Sequence, residues 1–257
     1  MSLGRKVIFM ICLIVFVTSA GVIVDYFLNG WREQSALEDL QSLQTEREDL
    51  KTDKGTVIGK YVDLYLANED LIGWIKVEDT KIDYPVMQTQ DDPEFYLHRN
   101  FAKEEAASGV PFLDANSDIF VPTANFLVYG HNMKNGMLFH DLLEYDSSEF
   151  YQAHKTFQFD TIYKGGQGTY EVVAAGYSQI YPENSKKFKY YQYAGITSEE
   201  DFDEYVRNVK ALSCYDTGVT PEYGDQLVTL STCAYHVDNG RFFVVGRRTD
   251  AKQVKPQ

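Results

Sequence analysis

A predicted β-hairpin near the C-terminus constrains this chain more than any other feature of its sequence. Residues 226–233 and 241–247 are rich in β-branched and aromatic side chains, and Asp-Asn-Gly at 238–240 lies between them. Asn and Gly tolerate a positive φ, so this tripeptide is a strong turn signal. We predict an antiparallel pair in which Cys233 ends one strand and Arg241 begins the next. A thiol and a guanidinium would then meet at one edge of the sheet.

The first strand of this hairpin alternates between two kinds of side chain. Thr229, Ser231 and Cys233 are expected on one face, and Val228 and Leu230 on the other, because strand side chains alternate with period two. The cysteine is therefore predicted to lie on a small, polar face and not in a packed core.

Composition limits the class of protein. The chain has 257 residues, 44% of them hydrophobic, which is enough for one sizeable domain plus an appendage. An aromatic share of 14% favours a β-rich body. The net charge of −14 argues against a nucleic-acid partner, because phosphate binding requires a basic surface.

The N-terminus has the pattern of a membrane anchor. Arg5 and Lys6 precede an apolar run over residues 7–24, and apolar side chains up to residue 28 extend it. We predict an uncleaved signal anchor over residues 7–28, with residues 1–6 in the cytoplasm and the body outside, because basic residues before a span stay inside. A cleaved signal peptide, with residues 18–20 as the small-residue cleavage site, is the alternative.

The three cysteines cannot form a disulfide framework. Cys12 lies in the apolar run, where a lipid-facing thiol is expected, and Cys214 is predicted to be a small buried residue. An exported chain with so few cysteines is expected to keep a working thiol, and Cys233 is the candidate.

Beyond the anchor, the sequence predicts a stalk and a barrel. Residues 29–56 are strongly charged with leucines at helical spacing, which predicts a charged helical stalk, and the body follows at 57–250 with a polar tail at 251–257. The body starts with a short helix over 57–68. Residues 71–75 begin the packed domain, and short segments of strand composition follow at residues 81–86, 110–113, 125–131, 156–162 and 170–181. With the hairpin, they predict a closed or nearly closed antiparallel β-barrel.

Two helices are expected to interrupt the strands, at residues 137–143 and 198–213. The second is amphipathic: Ser198 is its predicted N-cap and acidic residues occupy its first turn. Its buried stripe is predicted to consist of Phe202, Tyr205, Val209 and Leu212.

His131 is the second residue expected to carry chemistry, because it ends the predicted strand 125–131 where barrel loops leave a cleft. A thiolate at Cys233 would attack a carbonyl, His131 would handle protons for the leaving amine, and Arg241 would stabilise the oxyanion. From spacing alone, an alternative stays open: an inert thiol, a hydrogen-bonded loop histidine and a surface arginine.

The other histidines are assigned structural roles. His236 is the rival to His131 because it follows Cys233 closely, but it lacks a surrounding motif. A metal site built from His131, His140 and Cys233 would have no recognised ligand spacing, so we predict no metal site and no cofactor.

Taken together, four motifs resemble those of the sortase family, specifically class B sortases. They are TLSTC at 229–233, YGHNM followed by KNG at 129–136, RFFVVGRR at 241–248 and GVPFLD at 109–114. The resemblance covers about residues 61–248 and includes the order His, Cys, Arg. It implies a mainly β fold, an eight-stranded sortase-type barrel with N-terminal helices and a helix inserted before the cysteine strand. The implied activity is cleavage of a surface-protein sorting signal through a thioacyl-enzyme, resolved by a cell-wall amine.

The resemblance also implies roles for individual residues. Cys233 would be the nucleophile, His131 the general acid and base, and Arg241 the oxyanion and substrate-positioning residue; Ser231 and Leu97 would line the substrate groove. The helix 198–213 would wall one side of that groove. Ala234 and Tyr235 follow the cysteine where some members carry acidic residues, so the Cys, His and Arg must suffice.

The implied partners are a sorting-signal peptide, a peptidoglycan precursor or other amine, and the membrane at a Gram-positive cell surface. Two other classes stay open. One is another exported cysteine peptidase or L,D-transpeptidase-like acyl-transferase, although Thr232 stands where the L,D-transpeptidase signature has glycine. The other is a non-enzymatic surface adhesin on a membrane stalk.

Overall fold

The computed structural model describes residues 3–121 and 123–249. The predicted polar tail at 251–257 lies outside the described residues. The chain divides into two compact units, one that extends to Asp39 and one that starts at Leu40.

The first unit consists of a helix, α1, which runs over Leu3–Ser42 and therefore ends just inside the second unit. Among the described residues it is the helix long and apolar enough to cross a membrane. We expected helical structure as far as residue 56, but α1 ends at Ser42. A two-stranded antiparallel ribbon follows, formed by β1, Leu50–Lys51, and β2, Thr56–Val57. Gly55 adopts a φ of 148° in its turn, a conformation that favours glycine and interrupts a helix.

The second unit is built on a closed barrel of eight strands, which confirms the predicted fold class. The strands are β3 Leu71–Lys76, β4 Asp83–Met87, β5 Phe112–Leu113, β6 Asn125–Tyr129, β7 Thr156–Thr161, β8 Gln167–Gln179, β9 Leu227–Cys233 and β10 Gly240–Arg248. Around the barrel their order is β10-β8-β7-β3-β4-β5-β6-β9. The prediction of a wholly antiparallel barrel is wrong, because β4 pairs with β5 and β6 pairs with β9 in parallel.

Helical segments cover parts of this barrel. The predicted helix over 57–68 is a 3₁₀ turn, Gly59–Tyr61, that continues into α2, Val62–Ala67. The predicted helix over 137–143 is instead the 3₁₀ helix Asp141–Asp146, followed by α3, Ser148–Ala153. The reason is the tight loop after β6: Asn132 bridges Leu138, and Leu138 has a φ of 56°, which an α-helix does not allow.

Helix α4, Glu199–Ala211, lies against the outer face of the barrel. Ser198 caps it by accepting a hydrogen bond from the Asp201 amide at 3.1 Å, as predicted. Phe202, Tyr205 and Val209 are fully buried in one cluster with side chains of β6, β9 and β10. Leu212, placed in this stripe from sequence, is 39% exposed because the helix has already ended. The prediction of a buried Cys214 is also wrong: its side chain is exposed.

Strand β9 is buried on both faces. Val228 and Leu230 face the barrel interior and are inaccessible to solvent. Thr229 and Ser231, on the face that carries Cys233, are covered by aromatic hydroxyls: Tyr205 of α4 bonds Thr229, and Tyr190 bonds Ser231. The predicted polar face therefore exists, but helix α4 and the 3₁₀ helix Tyr190–Gln192 cover it as far as Ser231. Only Cys233, at the end of the row, is partly exposed.

Candidate active site

The pairing of three strands brings the predicted catalytic side chains to one end of the barrel. Arg241 of β10 is the direct partner of Cys233 of β9 in an antiparallel ladder. Strand β6 runs parallel to β9 with Tyr129 opposite Ser231, and Gly130 extends this ladder by donating its amide to the Ser231 carbonyl at 3.0 Å. The segment after β6 therefore leaves the barrel on the same edge as the end of β9.

His131 lies two residues beyond the end of β6, not within the strand as predicted. Gly130 before it is needed for close packing, because a Cβ there would lie 2.6 Å from the Phe139 ring. The His131 carbonyl in turn accepts the Phe139 amide at 2.9 Å. These contacts fix the backbone from which the imidazole projects.

All five predicted site residues line a single cavity of about 350 Å³. Its lining consists of Pro93, Glu94, Leu97, Phe112, Asp114, Ala115, Asn116, Tyr129, Gly130, His131, Ile180, Tyr191, Ser231, Thr232, Cys233 and Arg241. A cavity of this size suits a short peptide segment or a small molecule. Within the described chain, α4 contributes nothing to this lining, so the prediction that it walls the groove is wrong. Ile180 and Tyr191, which precede α4, form that part of the lining instead.

The orientation of the His131 ring is set by a backbone carbonyl. Its Nε2 lies 2.9 Å from the carbonyl oxygen of Leu97. A carbonyl can only accept, so Nε2 carries a proton and Nδ1 holds the lone pair of the neutral ring. Burial lowers the pKa of His131; the Leu97 carbonyl opposes this effect, whereas the charges of His98 and Arg241 lower the pKa further. The neutral imidazole is thus favoured, and its Nδ1 is free to take a proton.

Cys233 is half-buried and belongs to no disulfide. Its carbonyl accepts a hydrogen bond from the side-chain amide of Asn132 at 3.0 Å. The preceding residue, Thr232, donates its hydroxyl to the Gly130 carbonyl at 2.7 Å. The side-chain hydrogen bonds of Asn132 and Thr232 therefore join the end of β9 to the loop that carries His131.

Arg241 presents an uncompensated positive charge to the cavity. Its guanidinium donates to the Gly240 carbonyl at 3.0 Å and weakly to the Asn239 carbonyl at 3.5 Å. Among the described residues, no carboxylate oxygen lies within 4 Å of its guanidinium nitrogens. Several of its N–H groups therefore remain available to an anionic group in the cavity.

Two tyrosines near the site were missed from sequence. Tyr190 is fully buried and its hydroxyl lies 2.6 Å from the Ser231 hydroxyl, while Tyr129 donates to Asp114 at 3.0 Å. Burial raises the pKa of both phenols, with Asp114 raising that of Tyr129 further, so both remain neutral. The aromatic run at residues 188–193 was a visible signal, but its contact with β9 is not encoded locally.

The remaining histidines differ in their relation to the cavity. His98 stacks on His131 with ring centroids 5.8 Å apart, which the structural assignment made from sequence did not anticipate. His140 donates its Nδ1 proton to the Asn132 side-chain oxygen at 2.8 Å. His236 packs edge-on against Tyr177 and is not among the described residues that line the cavity. No group of three or more His, Cys, Asp or Glu side chains in the described chain has an arrangement that could hold a metal ion.

Comparison with known proteins gives a consistent result. The Sortase domain family model matches residues 75–249. Sortase B of Listeria monocytogenes is 33% identical over 240 residues, covering 88% of this chain and 93% of that protein. Sortase B of Staphylococcus aureus is 28% identical over 228 residues, covering 88% of each chain. The solved Staphylococcus aureus sortase B–substrate complex superposes with a TM-score of 0.73 at 25% identity, covering 88% of this chain and all of that one.

Proposed function

We infer that this chain, which belongs to the sortase family of cysteine transpeptidases, cleaves the C-terminal sorting signal of surface proteins and transfers the acyl group to a cell-wall amine. One observation supports this most: Cys233 and Arg241 are direct partners across two strands and share a cavity with His131. A nucleophile, a proton carrier and a fixed cation around one cavity are the groups that acyl transfer requires.

In the first half of the proposed reaction, Nδ1 of His131 takes the proton of the Cys233 thiol, and the resulting thiolate attacks the carbonyl carbon of the scissile peptide bond. The S–C bond forms, and negative charge develops on the oxygen, where the Arg241 guanidinium stabilises it. The C–N bond then breaks, and His131 donates a proton to the leaving amine. The product is a thioester between the acyl fragment and Cys233.

In the second half, an acceptor amine attacks the thioester carbonyl. The new amide bond forms, the S–C bond breaks, and the thiolate of Cys233 is regenerated. His131, with its proton-free Nδ1, accepts the proton that the amine loses. The acceptor belongs to a peptidoglycan precursor, or is another amine at the cell surface.

Ser231 and Leu97 are proposed to position the substrate. Both line the cavity, and the Ser231 hydroxyl has a fixed partner in Tyr190. If Tyr190 donates to Ser231, the serine O–H is left to donate to a peptide carbonyl. Leu97 offers an apolar side chain to the cavity while its carbonyl holds His131.

For the domain organisation, we propose a signal anchor at residues 7–28, preceded by cytoplasmic residues 1–6, with the catalytic domain at 57–250 on the outside of a Gram-positive cell. The apolar part of α1 supports the anchor, and Arg5 and Lys6 before it support this orientation.

The test uses the full chain in detergent micelles with peptides of the LPxTG, NPxTN and PPxTG types, each with and without a glycine peptide as acceptor, followed by mass spectrometry. We expect cleavage after the threonine, ligation to the acceptor, and an acyl adduct on Cys233. Cys233→Ala should abolish turnover, and His131→Gln should reduce it by roughly 10²- to 10⁴-fold.

Cys214→Ala is the matched control, because it removes an exposed thiol outside the cavity and should leave turnover unchanged. Turnover that survives in Cys233→Ala would refute the assignment of the nucleophile. Hydrolysis with no ligation at any acceptor concentration would leave the thioester chemistry standing but contradict the transpeptidase assignment for these acceptors.

A further inference from the structure

His131 is held from one side by consecutive residues of a single segment. The 3₁₀ helix Phe95–His98 supplies the Leu97 carbonyl, 2.9 Å from Nε2, and the His98 ring, which lies nearly parallel to the His131 ring. The two ring centroids are 5.8 Å apart and the planes differ by 24°. Two imidazoles therefore face each other beside the cavity.

The charges around this pair are unbalanced. Arg241 of β10 places a positive charge near His131, and Cys233 of β9 places a titratable thiol in the same cavity. Glu94, just before the 3₁₀ helix, lines the cavity and is exposed. The Arg99 guanidinium lies over the Phe95 ring at 4.8 Å. In the described parts of the chain, neither imidazole has a carboxylate within ion-pair distance.

The two rings also differ in their access to water. His98 is exposed, so water solvates its charged form, whereas His131 is half-buried. With Arg241 already facing His131, a proton on His98 adds a second positive charge that disfavours protonation of His131. Because the two rings are stacked with centroids 5.8 Å apart, a positive charge on one ring disfavours a positive charge on the other.

We propose that His98 is a positioning residue that, through its stacked and protonatable ring, keeps His131 in the neutral form able to accept a proton. The inference rests on the proposed general acid and base role of His131. It predicts that the ring of His98 supplies orientation and that its charge sets the pH range in which His131 works.

The size of the charge effect follows from the separation. Two unit charges 5.8 Å apart shift each other's titration midpoint by roughly 0.5 pH units in bulk water and roughly 2 at the effective dielectric typical of a protein surface. Removal of the His98 charge should therefore raise the midpoint of His131 by an amount between these limits.

The test is NMR titration of the histidine rings in the full chain in detergent micelles, with His131→Gln used to assign the His131 signal. Two variants separate charge from ring packing: His98→Phe keeps an aromatic ring but removes the charge, and His98→Gln removes both. Both should raise the His131 midpoint. His154→Phe is the matched control, because His154 stacks on Phe150 away from the cavity and should leave the midpoint unchanged.

Peptide cleavage supplies the second readout. In His98→Phe, the acid limb of the kcat/KM profile should move to higher pH by the same amount as the NMR midpoint. In His98→Gln, kcat should fall as well, because the ring that orients His131 is lost. An unchanged His131 midpoint in both folded variants would overturn the proposal. A raised midpoint with an unmoved profile would support the coupling of the rings and count against the proposed catalytic role of His131.

Discussion

Asn132 joins strand β9, which ends at Cys233, to the loop that carries His131, and its replacement should reduce both stability and activity. The side chain is only 9% exposed. Its amide nitrogen donates to the Cys233 carbonyl at 3.0 Å, and its oxygen accepts from His140 Nδ1 at 2.8 Å. In Asn132→Leu a side chain of similar volume makes neither hydrogen bond. The change therefore tests the polar contacts with little change in packing volume.

The expected cost follows from these two contacts. A neutral hydrogen bond contributes about 0.5–1.5 kcal/mol net, so the two together are worth roughly 1–3 kcal/mol. Cys233 is half-buried and water can reach only part of its surroundings, which favours the upper half of that range. The free energy of unfolding should accordingly fall by about 2 kcal/mol. A nucleophile displaced by about 1 Å can also lose roughly 10²-fold in rate.

Chemical denaturation of the full chain in micelles, followed by tryptophan fluorescence, measures the first effect, and peptide cleavage measures the second. His140→Phe serves as the comparison, because it removes the histidine bond and leaves the bond to Cys233. It should cost about half as much stability and far less activity. The reasoning would be refuted if Asn132→Leu behaved like wild type, or if His140→Phe reduced cleavage as much as Asn132→Leu.

Two further predictions concern stability. Ser178, the cross-strand partner of Arg241 in β8, is buried, and its hydroxyl has no hydrogen-bond partner in the described chain. Ser178→Ala should therefore raise the free energy of unfolding by about 1 kcal/mol or more, measured by chemical denaturation, and a loss of stability would contradict this reasoning. Burial lowers the pKa of His131 below its ordinary value of 6.5. The unfolded chain therefore binds a proton at His131 more readily than the folded chain does, and the free energy of unfolding should fall as the pH falls through 6.5. Denaturation at a series of pH values should show a smaller loss on acidification in His131→Gln than in wild type, and equal losses would contradict this cause.

Local sequence signals predicted the elements of the barrel better than their arrangement. The hairpin was predictable because a turn signal separates two strand-like runs: Asn239 has a φ of 55°, the Gly240 amide closes the turn on the Val237 carbonyl at 3.1 Å, and Arg241 is indeed the partner of Cys233. The parallel pairing of β6 with β9 was not, because about a hundred residues separate these strands and no local pattern sets their register. That pairing is what brings His131 to the same cavity as Cys233, so strand-end positions alone left an inert alternative open, and the family resemblance was needed to favour the site.

The errors around α4 have a similar cause. Its apolar stripe correctly predicted burial of Phe202, Tyr205 and Val209, but an apolar stripe does not predict which surface of the protein the helix packs against. The helix packs on the barrel wall, and residues before it, Ile180 and Tyr191, line the cavity instead. His98 was assigned a structural role for the same reason: its contact with His131 joins segments that are distant in sequence.

The position of Cys233 follows from where the cover over β9 ends. Along one face of this strand, Thr229 pairs with Tyr205 and Ser231 pairs with Tyr190, and both hydroxyls are hydrogen-bonded, with Ser231 at the edge of the cavity. The next residue on that face is Cys233, which is partly exposed and opens into the cavity. A buried polar row costs little when each group is paired, and it holds the strand in one register. The row therefore ends at Cys233, which is partly exposed and lies directly opposite Arg241 of β10.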